Sequence, residues 1–266
     1  MKLIRSTDNP LARRVLGLRD SARERREEAR TVIEGAHLVE AYLDHTSLPP
    51  EVVVVSEASS DQPEIARLLE RTGRSTVVCF DDRLFAKLSP VAGRNGVVAI
   101  IPVGGTSLAS AVGGGGFQLW LDGVQDPGNV GSLIRSAAAS GANAIVLGSG
   151  CADAWSPKCL RGGMGGHFAI PITQTDNLEE AVRLWRGRIL VADANAQGQL
   201  FATDLTGDTA VILGGEAAGV QPALAAMATG ALGIPMPGTV ESLNVGAAGA
   251  VICFERLRQV LATTKG

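Results

Sequence analysis

The chain has 266 residues, 45% of them hydrophobic and 19% charged, and a net charge of −3. That length allows one large or two modest domains, each with a real core, and the acidic balance argues against broad, sequence-blind nucleic-acid binding. No apolar run reaches the roughly 18–20 residues of a membrane helix, and residues 1–14 carry charge without the apolar stretch of a secretory leader.

In chain order, charged helical sequence runs from about Pro10 to Arg30, and a helix is expected from His37 to about Asp44. The β-branched run Glu51–Ser56 reads as a buried strand. A helix with proline at its start follows at Pro63–Thr72, then a strand at Thr76–Phe80, a short helix to Leu88 opened by Asp81 and Asp82, and a strand at Val97–Pro102. Residues 103–116 end in four consecutive glycines and read as a flexible linker. This places a small α/β unit at 1–102 and a second unit at 117–266.

The second unit alternates more regularly. Strands are expected at Phe117–Leu121, Ala144–Leu147, Ile189–Ala192, Ala210–Leu213 and Ala231–Ile234. Helices are expected near Val130–Ser140, Pro157–Gly163, Leu178–Trp185, Pro222–Thr229 and Val245–Leu261. Such alternation implies a parallel sheet covered on both faces, and these sheets bind ligands beyond the carboxyl ends of their strands.

The four cysteines form no Cys-x-x-Cys pair and the three histidines lack helical metal spacing. We therefore expect reduced, buried thiols in a cytoplasmic protein, with no metal site. Charge is uneven. Residues 1–30 hold nine Lys and Arg against five acidic residues, leaving the remainder acidic. A basic face fits a local phosphate contact, but Arg23-Glu-Arg-Arg-Glu-Glu also suits a solvated helix face with i,i+4 pairs. The residues alone favour the solvated face.

Three polar, glycine-rich segments each follow an expected strand. The first runs from Leu121 through Asp126-Pro-Gly to Asn129 and Arg135. Asparagine near a helix start is commonly a cap, whereas an arginine amid Leu133, Ile134 and Ala137 needs a partner if buried, and a phosphate would serve. The second, Gly214-Gly-Glu-Ala-Ala-Gly219, places Glu216 in a tight turn, either as a charge at a helix start or as a site residue. The third, Ile234-Pro-Met…Ser242-Leu-Asn244, sets a polar pair before a helix of small residues. That pair can cap the helix or use its free donors to hold a ligand.

Together, in order and spacing over residues 117–260, these segments resemble the three signature motifs of the SpoU (TrmH-like) RNA ribose methyltransferases of the SPOUT class. Asp126-Pro-Gly-Asn-Val-Gly with Arg135 matches the first motif, Gly214–Gly219 the second, and Ile234–Val245 the third; Arg161–Pro171 resembles the intervening segment. Gly123, where relatives often carry Asn, and Ser136, where Thr is usual, depart from the pattern. Residues 1–102 are more weakly similar to the family's substrate-binding domain of the L30e type, through Asn9-Pro10 and Ile33-Glu-Gly…Leu38-Val39.

The resemblance implies an α/β fold with a deep trefoil knot, S-adenosyl-L-methionine as cofactor, and 2′-O-methylation of a ribose in structured RNA. Ribosomal RNA is favoured over tRNA; a non-catalytic RNA-binding or ribosome-assembly factor on the same fold is the other reading. It also implies a homodimer packed through the knotted domain, with groups from both chains at the site. Backbone near Gly214, Ile234, Met236 and Leu243 would hold the cofactor. Asn129, Arg135, Glu216, Ser242 and Asn244 would form the catalytic site, with Glu216 pairing with Arg135 or bracing the loops. In that context residues 1–30 become a candidate for an added RNA contact. A dinucleotide-binding oxidoreductase is disfavoured because no Gly-x-Gly-x-x-Gly follows the first strand of the second unit.

Overall fold

The computed structural model describes residues 1–88, 96–196, 199–216 and 218–263. One residue of the second glycine-rich motif, Ala217, therefore lies outside the described residues. The chain forms two compact units. One comprises Met1–Gly104 together with Trp155–Phe168, and the other Gly105–Ala154 with Ala169–Gly266.

The first unit begins with β1 (Lys2–Ile4), α1 (Pro10–Asp20), α2 (Ala22–Glu28), β2 (Arg30–Glu34) and α3 (Ala36–His45). It continues with β3 (Val52–Ser56), α4 (Pro63–Arg71), β4 (Thr76–Phe80), α5 (Asp82–Leu88) and β5 (Val97–Pro102). The sheet order is β1-β4-β3-β5-β2, with β5 antiparallel to both its neighbours and the other pairs parallel. One sheet face packs on Val15, Leu18, Leu84 and Leu88, the other on Val39, Tyr42, Ile65 and Leu68.

The expected helical stretch from Pro10 to Arg30 is two helices. Ser21 leaves helical conformation and its hydroxyl accepts from Glu24 N, capping α2. Ala29, at φ 50°, then turns the chain into β2. β1 was not expected, because three residues carry too short a pattern to register.

The second unit runs α6 (Leu108–Gly113), β6 (Phe117–Asp122), α7 (Pro127–Ala139) and β7 (Ala144–Leu147). The chain next makes α8 (Pro157–Gly163), which belongs with the first unit. The rest is β8 (Ile172–Gln174), α9 (Leu178–Leu184), β9 (Arg188–Ala192), β10 (Thr209–Gly214), α10 (Pro222–Met227), β11 (Gly230–Leu232) and α11 (Val245–Thr263). All neighbouring strands are parallel, in the order β11-β9-β10-β6-β7-β8. The order reverses between β6 and β10, and such a switch point opens a crevice at the carboxyl ends of the strands.

Helices α6, α9 and α10 cover one face around Trp120, Trp185, Val191 and Ile212. On the other face α11 lies against α7 so closely that a Cβ on Gly249 would stand 2.1 Å from Leu133 Cδ2. Two expectations change. The stretch read as flexible linker contains α6, because Ala111 and Val112 are buried and Ser107 caps the helix through Ser110 N. Ile234 lies beyond the end of β11, since Pro235 has no N–H for a sheet ladder.

The excursion Trp155–Phe168 joins the first unit for a packing reason. Leu160 is buried with Ile33, Val39 and Tyr42, Phe168 stands edge-on to the Tyr42 ring at 5.3 Å, and the Thr31 hydroxyl donates to the Trp155 carbonyl at 2.7 Å.

Candidate cofactor cleft and active site

The site grows from the switch point. Every residue of β6 is buried, and its last, Asp122, pairs in register with Gly214 at the end of β10. The loops leaving these two strands therefore start side by side. Gly123 follows at φ 67°, a left-handed conformation that glycine, and less readily asparagine, adopts. Its departure from the commoner asparagine is conformationally neutral for that reason. α7 starts with Pro127, and Asp126 caps it by accepting from Asn129 N at 3.0 Å. The cap is thus Asp126, and the Asn129 side chain is left for other work.

That work is a three-residue network. Asn129 Nδ2 donates to Glu216 Oε1 at 2.8 Å, and Asn244 Nδ2 donates to the same oxygen at 2.7 Å and to Asn129 Oδ1 at 3.1 Å. Asn244 also accepts from Gly246 N through Oδ1 at 2.9 Å, closing the first turn of α11. Helix cap and site residue, alternatives in the sequence, are one side chain using both ends of its amide. The backbone donor orients that amide, so its NH2 must face Glu216.

A cleft of about 700 Å³ lies beside this network, entirely within the second unit. Gly214, Glu216, Ile234, Met236, Ser242, Leu243 and Asn244 all line it. Its other walls include Val191, Leu213 and Leu232, and it carries the carboxylates of Asp193 and Glu241 besides Glu216. No Lys, Arg or His is found among the described lining residues. Apolar walls suit a flat heterocycle, and an acidic, cation-free lining suits a positively charged ligand. S-adenosylmethionine, with its adenine and its sulfonium, has both properties.

Arg135 departs from expectation. It is exposed rather than buried, lies about 120° around α7 from Asn129, does not line the cleft, and makes no hydrogen bond or ion pair among the described residues. Glu216 is accordingly engaged by the two asparagines and not by Arg135. Ser242 lines the cleft but makes no side-chain hydrogen bond among the described residues. Cys151, one of the thiols expected to be buried, is only half-buried, whereas burial pushes the Cys253 thiol up to about 12. Among the described residues no group of His, Cys, Asp and Glu could hold a metal ion, and no helix is long and apolar enough to cross a membrane.

Two residues of the site escaped the sequence reading. Asp122 is buried, and its two carboxylate oxygens accept from Gln221 N at 2.7 Å and Gln221 Nε2 at 2.9 Å. The available signal was a carboxylate closing a mostly apolar strand at the carboxyl edge of a parallel sheet.

A parallel α/β unit with a ligand-sized cleft at its switch point is a layout that solved methyltransferase structures share. The SpoU methyltransferase AviRb from Streptomyces viridochromogenes, in complex with the cofactor AdoMet, superposes with a TM-score of 0.86 at 25% identity, covering 96% of this chain and 99% of the other. The AdoMet-bound rRNA methyltransferase from Sinorhizobium meliloti gives 0.85 at 26% identity over 97% and 98%. In sequence, the 23S rRNA (guanosine(2553)-2'-O)-methyltransferase RlmP of Bacillus subtilis is 34% identical over 239 residues, 87% of this chain and 90% of that protein. Residues 116–254 match the SpoU rRNA Methylase family, and the chain belongs to it. It is an S-adenosylmethionine-dependent RNA 2′-O-ribose methyltransferase.

Proposed function

We propose that the substrate is ribosomal RNA, methylated on one ribose by a cytoplasmic homodimer. The observation that carries the site is the Asn129–Glu216–Asn244 network on the wall of an acidic cleft, with Arg135, on the same helix as Asn129, exposed and without a partner among the described residues. Similarity to RlmP and to the Sinorhizobium enzyme, both rRNA methyltransferases, favours ribosomal RNA over tRNA.

Bound S-adenosylmethionine supplies a methyl group activated on a sulfonium. Backbone at Gly214, Ile234, Met236 and Leu243 would hold it in the cleft. The protein's remaining task is to align a ribose hydroxyl with that methyl, which is catalysis by positioning. Asn129 and Asn244 fix Glu216 and hold the three loops in one arrangement, and Ser242 completes the polar wall. Arg135 binds the phosphate next to the target ribose. A guanidinium stays protonated at all relevant pH values, so anchoring and charge stabilisation suit it better than proton abstraction.

The trefoil knot belongs to this proposal. Its support is the path after β11, which lies at one edge of the sheet, whereas α11 packs against α7 on the far side of β9 and β10. Residues 233–244 make that crossing beside the loop after β9, where Leu200 N donates to the Gly233 carbonyl at 2.9 Å. The homodimer is supported by exposed Phe254 and Leu261 on α11, which lie about 20° apart around the helix. In such a dimer the RNA site would use groups from both copies, and Arg135, exposed and away from its own chain's cleft, is the residue we assign to that shared role.

Ribose methylation mapped across total RNA, with and without the gene, tests the reading. Loss of a single ribosomal RNA methylation, restored by the wild-type gene and not by Arg135→Ala, is expected. A lost tRNA methylation, or an unchanged map, would overturn it.

A further inference from the structure

We propose that Asp122 is a positioning residue for cofactor binding. Its buried carboxylate, clamped on Gln221, holds the loop after β10 in the shape that walls the cleft. The inference rests on the reading of that cleft as the cofactor site.

A carboxylate 2% exposed at the end of a fully buried strand is costly unless its lone pairs are filled. Gln221 fills both oxygens, one with its backbone N–H and one with its side-chain amide. Gln221 also sits at the N-cap of α10, yet its side chain makes no capping bond and turns to Asp122 instead. Asp122 holds the other end of the loop as well, since its carbonyl accepts from Gly215 N at 2.9 Å. Gly219 N then donates to the Gly215 carbonyl at 2.9 Å.

One residue thus ties both ends of a closed loop whose tip carries Glu216. Gly214, Gly215, Gly219 and Val220 of that loop line the cleft. There is no slack, because a Cβ on Gly214 would lie 2.0 Å from the Gly219 carbonyl carbon. Buried hydrogen-bonded carboxylates seldom exceed a well-packed apolar residue in stability. What this one supplies is a fixed loop geometry, and the cofactor reads that geometry directly.

The test measures S-adenosylmethionine binding to the full chain by calorimetry, with thermal unfolding alongside. The variants are Asp122→Asn, Gln221→Ala and the double variant Asp122→Asn/Gln221→Glu. Losing a charge-assisted bond to a buried carboxylate should raise the Kd about tenfold in Asp122→Asn, and roughly threefold in Gln221→Ala. In the double variant the introduced amide keeps an acceptor for the 221 backbone N–H, and its new donor faces the introduced carboxylate. Its Kd should return to within about twofold of wild type. The KM for cofactor should follow the Kd while the KM for RNA stays put, a split that general loosening of the fold would not give.

If Asp122→Asn does not fold, Gln221→Ala decides, because Gln221 is exposed. Unchanged affinity in the single variants, or a loss the double variant does not repair, overturns the clamp and leaves the cofactor reading intact. A wild-type protein that binds no S-adenosylmethionine overturns both.

Discussion

The charged surface of the first unit and the motif loops of the second handle polar groups in opposite ways, although the second unit has surface ion pairs of its own, such as Arg183–Glu179 and Arg258–Glu255. In the first, charge is paired with charge at the surface. Arg14 bridges Glu28 at 2.7 Å and Glu51 at 2.5 Å, Arg30 reaches Glu51 at 2.9 Å, Arg13 holds Asp8 at 2.7 Å, and Arg23 holds Glu27 at 2.6 Å. Arg25 turns inward to donate to the Leu18 and Arg19 carbonyls. In the second unit a carboxylate, Glu216, is held by two neutral amides, while Arg135 of the first motif has no hydrogen-bond or ion-pair partner among the described residues. Paired ions neutralise one another and read as scaffold. An exposed arginine with no partner among the described residues, on the helix that also carries Asn129, has its charge available to a ligand.

The sharpest way to break this contrast is Arg135→Ala. Removing one preorganised charge from the reacting centre should lower turnover on RNA roughly 10²–10³-fold. The Kd for S-adenosylmethionine should stay within about twofold, because Arg135 does not line the cleft. Retained turnover would make Arg135 a plain surface residue.

Asn244→Ala comes next, since it removes a helix cap and a brace on Glu216 at once. Loss of the cap should cost about 1 kcal/mol in thermal or urea unfolding. Turnover should fall further than that loss of folded protein explains, because Glu216 loses one of its two donors. A drop in activity that simply tracks unfolding would assign Asn244 to capping alone.

Glu51 probes the first unit through pH. The side-chain hydrogen bond from Arg14, aided by Arg30, holds its carboxyl down at about 2. A group lowered in the folded state stabilises above its unfolded value of about 4.3, and that contribution is lost as pH falls from there toward 2. Glu51→Gln should therefore flatten the acid limb of the stability profile. Both partners are partly exposed, so the difference should stay under about 1 kcal/mol and shrink with salt.

The smallest effect is expected from Arg13→Glu with Arg23→Glu. If the pairing in the first unit is scaffold, the Kd for RNA and its salt dependence should change less than about twofold. A large rise in Kd with a flatter salt slope would return residues 1–30 to RNA contact.

Much of this contrast was legible in the chain. Strands 76–80, 97–102 and 144–147 and helix 157–163 have the expected bounds, because β-branched runs and Pro/Gly punctuation mark both ends. Arg23-Glu-Arg-Arg-Glu-Glu likewise pointed to i,i+4 pairing, and Arg23–Glu27 is such a pair. The exposure of Arg135 was not legible. Its apolar neighbours Leu133 and Ile134 face the core, and a helix turns the next side chain about 100° away.

The sequence by itself determined the alternation of strands and helices and the residue types at the three loops, because these depend on local periodicity and spacing, whereas the grouping of Trp155–Phe168 with the first unit depends on packing. Only the tertiary structure decided what those residues touch. Asn129 and Glu216, 87 positions apart, meet because the sheet sets the loops after β6 and β10 side by side, and Asn244, 28 positions further on, joins them because residues 233–244 run back from the β11 edge. The pairing of Asp122 with Gln221, 99 positions on, has the same cause. Hydrogen bonds between loops follow sheet order rather than chain order, so no local pattern could have written them in advance.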